Sequence, residues 1–187
     1  MANESTRLTA RDWAWAALKA IAGGGLAAVA VEPLARTLGV TKGSFYAHYR
    51  NRDELIEAAL SEWVRTHGDE GLAEFAAIAD PEARLRNLLT VVVQAVQPLA
   101  PSAHLSLLGD RNDPRVREAV KQVNQARLNL LSHTYRELGL SPERAASRAR
   151  VAYAAILGLM HLAQTDPATS PDADALATEA TKVFLTP

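Results

Sequence analysis

The chain has 187 residues, of which 48% are hydrophobic and 22% are charged, and its formal net charge is −1. These values are ordinary for a soluble globular protein of one or two domains, and the lack of cysteine excludes disulfides, thiolate zinc sites and a cysteine nucleophile. The polar N-terminus lacks the apolar core of a signal peptide, and no apolar run reaches the roughly 20 residues needed to span a bilayer, so we expect a cytoplasmic protein.

Helix-forming residues dominate the first half, and no stretch alternates apolar and polar residues as a strand would. Thr9 is placed to cap the first helix, and three consecutive glycines after Ala22 are expected to end it. Thr41 can cap the third helix, and Asn51 with Glu54 resembles a capping box at the start of the fourth. The predicted helices cover 9–22, 31–38, 42–49 and 51–67.

Four helix starts in the second half share one pattern, in which Asp or Ser precedes proline. The side-chain oxygen caps the helix, and proline occupies the first helical position, where its missing N–H has no partner. The pairs are Asp80-Pro81, Asp113-Pro114, Ser141-Pro142 and Ser170-Pro171. They open helices predicted over 81–97, 114–138, 142–164 and 171–185, with shorter helices within 68–80 and 102–109. The whole chain is therefore predicted to be all-α.

The segment LARTLGVTKGSFYAHYRNRDEL, from Leu34 to Leu55, has a distinct composition. Two short helices joined by a turn at Gly39 form a helix-turn-helix candidate, whose second helix enters the major groove of DNA. Every charged residue from Pro33 to Arg52 is basic, although acids outnumber bases over the whole chain. A basic run is more often a solvated surface, so the prediction of DNA binding depends on the combined pattern.

The residue types in this segment suit a phosphate backbone. Lys42 supplies a charge at the start of the second helix, and Gly43 lets the backbone approach the DNA closely. Hydroxyl groups of Thr41, Ser44, Tyr46 and Tyr49 can reach phosphate oxygens, and Arg52 lies in the first turn of the next helix, where an anion is already favoured. Phe45 is expected in the core instead, and Tyr49 could lie there too.

The segment resembles the DNA-binding domain of the TetR family of bacterial transcriptional regulators over Thr9 to Ala59. The resemblance implies DNA contacts from Thr41, Lys42, Gly43, Ser44, Tyr46, His48, Tyr49 and Arg52. It also implies a DNA-binding domain over 1–51, a connector helix over 52–67 and an effector-binding and dimerisation domain over 68–187. One departure is Ala30, where the family usually has a capping Thr or Ser that contacts a phosphate.

The family resemblance also implies a homodimeric repressor that a small molecule releases from operator DNA. The helix over 142–164 is apolar on more than one side, so it must be buried on more than one side, in the monomer core or in a dimer. Candidate dimer residues are Val151, Ala155, Gly158, Leu159, Leu162, Ala180 and Phe184. Candidate residues of a largely apolar effector pocket are Trp63, His67, Leu88, Val92, His104, Leu107, His133 and Tyr153.

The sequence leaves two other classes of function open, an enzyme and a protein-binding module. His104, Asp110, Arg111 and Asp113 lie close in sequence and could support acid–base chemistry, but Asp113 is better explained as a helix cap, and no phosphate loop, HExxH pair or nucleophile elbow is present. The chain could also be a helical module whose basic patch binds an acidic protein. We expect no enzyme activity and no cofactor.

Overall fold

The computed structural model describes residues 8–96, 101–165 and 173–185, which form helices and turns without a strand. The first half contains α1 (Ala10–Gly24), the 3-10 turn η1 (Leu26–Ala28), α2 (Val31–Thr37), α3 (Lys42–Tyr46), α4 (Arg52–His67) and α5 (Asp69–Ala76). The second half contains α6 (Pro81–Val96), α7 (Ala103–Leu107), η2 (Leu108–Asp110), α8 (Pro114–Glu137), α9 (Pro142–Thr165) and α10 (Ala173–Leu185). The predicted all-α fold is confirmed, and none of the described helices is both long and apolar enough to cross a membrane.

Several predicted caps are confirmed by hydrogen bonds. Thr9 Oγ1 accepts from the Asp12 N–H at 3.3 Å, and Asp12 Oδ2 accepts from the Thr9 N–H at 2.7 Å, which completes a capping box. Asp80 accepts from the N–H groups of the first turn of α6, and the carboxylate of Asp113 does the same for α8. The predicted cap at Ser170-Pro171 lies outside the described residues.

Two predicted caps differ from the structure. Thr41 occupies the cap position of α3, but its side chain makes no capping hydrogen bond, so that prediction is wrong. Asn51 Oδ1 does accept from the Glu54 N–H at 2.9 Å, yet Glu54 returns its carboxylate to the N–H of Arg50 rather than to that of Asn51. The reciprocal box therefore closes one residue earlier than the sequence pattern indicates.

The first compact unit consists of the described residues within Met1–Val64 together with Ser102–Val120. Its core is built around fully buried side chains of α1, α3 and α4, including Trp13, Ile21, Phe45 and Ile56. The rings of Trp13 and Phe45 meet edge to face, with centroids 5.4 Å apart. Phe45 is the buried residue of the five-residue α3, so this aromatic contact anchors the helix to α1.

The second compact unit consists of the described residues within Arg65–Pro101 and Lys121–Pro187. Its core joins α6, α8, α9 and α10. In the same unit, the buried Arg84 donates to the backbone carbonyl of Ile78, to Thr134 and to Glu137. These two units describe packing; the division into a DNA-binding domain, connector and effector domain stays a prediction. The core residues are Leu85, Leu89, Leu131, Tyr135, Leu140, Ala145, Ala149, Ala152, Tyr153, Ala180 and Phe184.

Candidate nucleic-acid interface

The turn between α2 and α3 is a glycine-terminated helix end. Gly39 has a φ of 69°, a conformation that glycine adopts without a steric penalty. Its N–H donates to Arg36 O at 3.1 Å, and the N–H of Val40 donates to Ala35 O at 2.9 Å, which is the Schellman pattern. This closed turn fixes the direction in which α3 leaves α2.

Phe45 determines which face of α3 turns outward. Its side chain is 1% exposed, and it packs against the rings of Trp13, Tyr46 and Tyr49. With Phe45 held inward, Tyr46 is left 58% exposed on the other side of the helix. The outward side chain is thus a large aromatic residue whose ring edge contacts Phe45 and most of whose surface is exposed.

In the first turn of α3, the side chain of Lys42 lies next to the carboxylate of Glu32. Thr41, Lys42 and Gly43 are exposed, whereas Ser44 is half-buried. Lys42 Nζ lies 2.9 Å from Glu32 Oε1, and this hydrogen bond raises the pKa of Lys42 and lowers that of Glu32. An exposed pair of this kind is worth little energy, so a phosphate can replace Glu32 at small cost.

Gly43 is not required by the fold. Its φ lies outside the left-handed region, and a Cβ built on it would meet only Thr41 Oγ1, at the ordinary contact distance of 3.5 Å. Glycine is also a poor helix former compared with alanine. A glycine that costs stability and relieves no internal crowding suits a place where another molecule must approach the backbone.

The polar groups of Tyr49 and Arg52 donate to backbone carbonyls of the same unit. Tyr49 Oη donates to Ala10 O at 2.7 Å, and Arg52 Nε donates to Val29 O at 2.6 Å, while Arg52 Nη2 donates to Leu26 O. Arg52 therefore holds both ends of η1. Sequence reasoning missed this role because the acceptors are backbone carbonyls more than 20 residues away.

The segment that links α1 to α2 is held from a second side by residues far along the chain. Asp110 Oδ2 accepts from the Leu26 N–H at 2.7 Å, and Ser106 Oγ donates to Ala22 O at 2.6 Å. Gly25 has a φ of 64°, and a Cβ there would lie 2.5 Å from Asp110 Oδ2. Asp110, which the enzyme hypothesis considered for acid–base chemistry, is used here to bind backbone.

Arg115 ties the start of α8 to the start of α4. It lies 2.8 Å from Asp113 Oδ2 and 3.0 Å from Asp53 Oδ1. The hydrogen bond from Arg115 lowers the pKa of Asp113 to about 2, so the carboxylate remains charged at neutral pH. Because the carboxylate of Asp113 caps α8 and is bonded to Arg115, it is unsuited to proton transfer. This supports the interpretation of Asp113 as a helix cap.

Comparison with known proteins bears on this unit directly. Residues 15–59 match the family model of bacterial regulatory proteins of the tetR family. This N-terminal domain belongs to the TetR family. The match covers α1 to the middle of α4, and hence the turn at Gly39 and the exposed face of α3. No curated protein matches the chain.

The TetR-family fold extends to the whole chain in solved structures. A TetR-family regulator of Agrobacterium tumefaciens superposes with a TM-score of 0.75 at 20% identity, covering 94% of this chain and 95% of that one. A regulator of Saccharomonospora viridis in complex with choline gives 0.70 at 21%, covering 95% of each. AibR in complex with isovaleryl coenzyme A and operator DNA gives 0.67 at 16%, covering 95% and 98%. At these identities the likeness shows the fold alone.

The predicted effector residues fall into both compact units. In the first, Trp63, His104 and Leu107 are buried, and the rings of Trp63 and His104 lie 5.8 Å apart. In the second, His67 and His133 are exposed, Leu88 is half-buried against the core, and Tyr153 is buried in that core. The side chain of Val92 lies outside the described residues.

The predicted dimer residues divide by exposure. Ala180 and Phe184 are each 8% exposed and belong to the core of the second unit. Ala155 and Leu159 are half-buried, whereas Val151 and Leu162 are 62% and 55% exposed. Nothing lies within 4 Å of a Cβ built on Gly158. Val151, Gly158 and Leu162 therefore offer free surface, here named the α9 strip.

Proposed function

We propose that this chain is a homodimeric TetR-family repressor that leaves its operator when a small, largely apolar molecule binds. The observation that carries the proposal is the exposed face of α3, where Lys42, Gly43 and Tyr46 leave a charge, an open backbone and a phenol hydroxyl accessible to another molecule. Lysine and tyrosine side chains and an open backbone are groups that bind phosphate oxygens. The match of this segment to a family of regulatory proteins supports the same conclusion.

Dimerisation would give the short α3 its affinity and selectivity. A single five-residue helix makes few contacts, whereas two copies on a two-fold axis read half-sites one helical turn apart, or a multiple of it. The α9 strip supports this part of the proposal, because Val151, Gly158 and Leu162 recur at helical spacing and expose apolar surface. An open glycine permits close approach of a second helix.

Control by an effector is supported by the fold and the composition of the second unit. The S. viridis regulator was solved with choline, and AibR with isovaleryl coenzyme A and operator DNA, so neighbours in this fold bind chemically different molecules. An effector that binds a conformation of low operator affinity more tightly must weaken operator binding, and the operator weakens effector binding by the same factor.

DNA binding is tested by fluorescence anisotropy with the DNA that flanks the chain's own gene. We expect sequence-selective binding that weakens steeply with salt, because each phosphate contact releases a counterion. Lys42→Ala should lower the salt slope by about two units, one for each protomer of the dimer, whereas Lys182→Ala, the same change at an exposed lysine of α10, should leave it unchanged. If no sequence-selective binding is detected at moderate salt, the DNA-binding function is refuted and a protein-binding module is favoured.

Dimerisation is tested by sedimentation of the chain alone. Leu162→Glu places a charge on the α9 strip and should produce monomers that remain helical, because Leu162 is 55% exposed in the single chain. Ala73→Glu, at an exposed position of α5, is the control and should sediment as the wild type does. Dimers that persist unchanged in Leu162→Glu would show that the interface lies elsewhere.

A further inference from the structure

Among the residues that the structure describes, Arg127 pairs with no carboxylate. It lies on α8 in the second unit and is half-buried. Its Nη1 donates to Tyr153 Oη at 3.3 Å, and its Cζ lies 5.7 Å from the centroid of the Tyr153 ring. Tyr153 is 6% exposed, and its hydroxyl donates to Asn124 Oδ1 at 2.9 Å. Burial raises the pKa of Tyr153, so the phenol stays protonated.

Other shielded arginines of the described chain have stronger acceptors. Arg84 pairs with Glu137, and Arg115 pairs with Asp113. Within the described residues, Arg127 bonds to one hydroxyl group, and that bond uses one of its five N–H donors. A shielded charge is costly unless an opposite charge or several acceptors compensate it.

We propose that Arg127, Tyr153 and Asn124 form a binding site for the carboxylate or phosphate group of an effector. A guanidinium offers paired N–H donors that match both groups, and partial burial strengthens the charge-assisted bonds. Asn124 can turn its amide N–H toward the same anion. This inference rests on the proposed effector control and assigns to it the chemical class of the ligand.

The surroundings of the site indicate an apolar body attached to the anion. Leu131 follows Arg127 by four residues on α8, so both lie on one face of that helix, and Leu131 is buried in the core. Leu157 follows Tyr153 by four residues on α9 and packs against the same core. A ligand held at Arg127 therefore adjoins leucine side chains from two helices.

The same geometry disfavours a cationic ligand. A quaternary ammonium group binds over the face of an aromatic ring, but the guanidinium of Arg127 already occupies that position over Tyr153. The positive charge of Arg127 would also repel a second cation. The site should therefore discriminate between head groups on ligands that share one hydrocarbon chain.

The experiment is calorimetric titration of the full-length protein, without DNA, using four probes with one alkyl chain: octanoate, octyl phosphate, octan-1-ol and octyltrimethylammonium. We expect one or both anions to bind at least about tenfold more tightly than the alcohol, and the ammonium compound not to bind. The stronger anion identifies the source of the charge as a carboxylate or a phosphate.

Matched variants connect the binding to Arg127. Arg127→Gln should lower the affinity for the anion about tenfold or more, while Arg127→Lys retains part of it as a point charge. Arg136→Gln makes the same change at an exposed arginine of α8 and should bind as the wild type does. Circular dichroism and thermal unfolding of each variant ensure that a lost response is not lost folding.

Three results would overturn the inference: no binding of either anion to the wild type, equal binding of the alcohol, or equal loss in Arg136→Gln and Arg127→Gln. Operator binding is measured separately, so the two proposals fail independently. A chain that binds its operator but neither anion refutes the anion site alone. A chain that binds an anion through Arg127 but no DNA refutes the regulator and leaves the site.

Discussion

The two compact units stabilise their helices by different means. In the first unit, α2 has seven residues and α3 has five, and the turn before them is held by Asp110 and Arg52, whose side chains bind backbone groups. In the second unit, α9 has 24 residues and shares a continuous apolar core with α6, α10 and the part of α8 that follows Val120. Placement of the short helices therefore depends on polar bonds in addition to the burial of Phe45, whereas the long helices depend mainly on burial.

This contrast has a measurable consequence. A helix of five residues cannot bury enough apolar area to fix its own direction, so a lost polar bond in the first unit should change DNA affinity as well as stability. A comparable change in the second unit should lower the free energy of unfolding and leave the affinity of the folded protein unchanged. The five predictions below test that distinction.

The largest effect is expected at Arg84 in the second unit. Arg84→Met removes hydrogen bonds to Ile78 O, Thr134 and Glu137 from a side chain that is 3% exposed. We expect the free energy of unfolding to fall by about 3 kcal/mol, because the buried Thr134 and the carbonyl of Ile78 lose their hydrogen-bond donor. Denaturant titration measures it, and Arg86→Met is the exposed control. An operator affinity that falls in folded Arg84→Met would break the contrast between the units.

Asp110→Ala should affect both quantities. It leaves the N–H of Leu26 without its acceptor, which costs about 2 kcal/mol of folding free energy, and it frees the turn that positions α2. Operator affinity measured below the unfolding transition should also fall. Asp110→Asn keeps an acceptor oxygen and should recover part of both losses. A stability loss with unchanged affinity would contradict the positioning role.

Ala30→Ser adds a side-chain cap at the N-terminus of α2, which has none. Ala30 is the cap residue of α2 and makes no side-chain hydrogen bond. A serine hydroxyl can accept from the first turn, so we expect about 1 kcal/mol of added stability in thermal or denaturant unfolding. Ala30→Val, which has no hydroxyl, is the control. An equal gain in both variants would assign the effect to something other than capping.

Gly43→Ala separates folding from DNA binding. Alanine should raise the free energy of unfolding by about 0.5–1 kcal/mol, since the fold leaves room for a Cβ there, while the methyl group should weaken operator binding. The control is Gly23→Ala in α1, another helical glycine with open surroundings, which should gain stability and bind DNA normally. Normal operator binding by Gly43→Ala would refute close approach of the DNA backbone.

The smallest effect concerns pH. Arg115 lowers the pKa of Asp113 to about 2 in the folded state, against about 3.9 in an unfolded chain. A depressed carboxylate pKa stabilises the fold above the unfolded pKa, so this contribution is complete above about pH 4 and is lost as the pH falls toward 2. Asp113→Asn should flatten that part of the stability curve. An identical curve in the variant would show that the pair contributes nothing.

Local signals allowed the sequence to predict most of the helices. Thr9, Gly39 and the Asp-Pro pair at Asp80 act within one helical turn, and each marks the expected boundary. Hydrogen bonds across long sequence separations were not predictable: the Asp110 contact with Leu26 spans 84 residues and has no periodic pattern. Burial was also ambiguous on α10, because Phe184 in a monomer core and at a dimer interface has the same apolar signature.

The residues expected to contact DNA differ from the helix caps, because their role depends on a molecule outside the chain. Lys42 and Tyr46 are exposed as predicted from the segment, and their contact with DNA stays a prediction. Arg52 and Tyr49 have donors bonded inside the unit, a role that the family resemblance did not indicate. Exposure on α3 is set by Phe45, and that single core residue was predictable.

On α3, the residues that position the helix differ from those that are exposed, and this affects how the DNA specificity of such a protein can evolve. Gly39 and Phe45 set the position of the helix, while the outward residues Lys42 and Tyr46 are largely exposed. A duplicated gene could therefore exchange Lys42 or Tyr46 one at a time and acquire a new operator preference without passing through a poorly folded intermediate. For the same reason, this face is a practical place to redesign specificity, with the remainder of the unit kept as an unaltered scaffold.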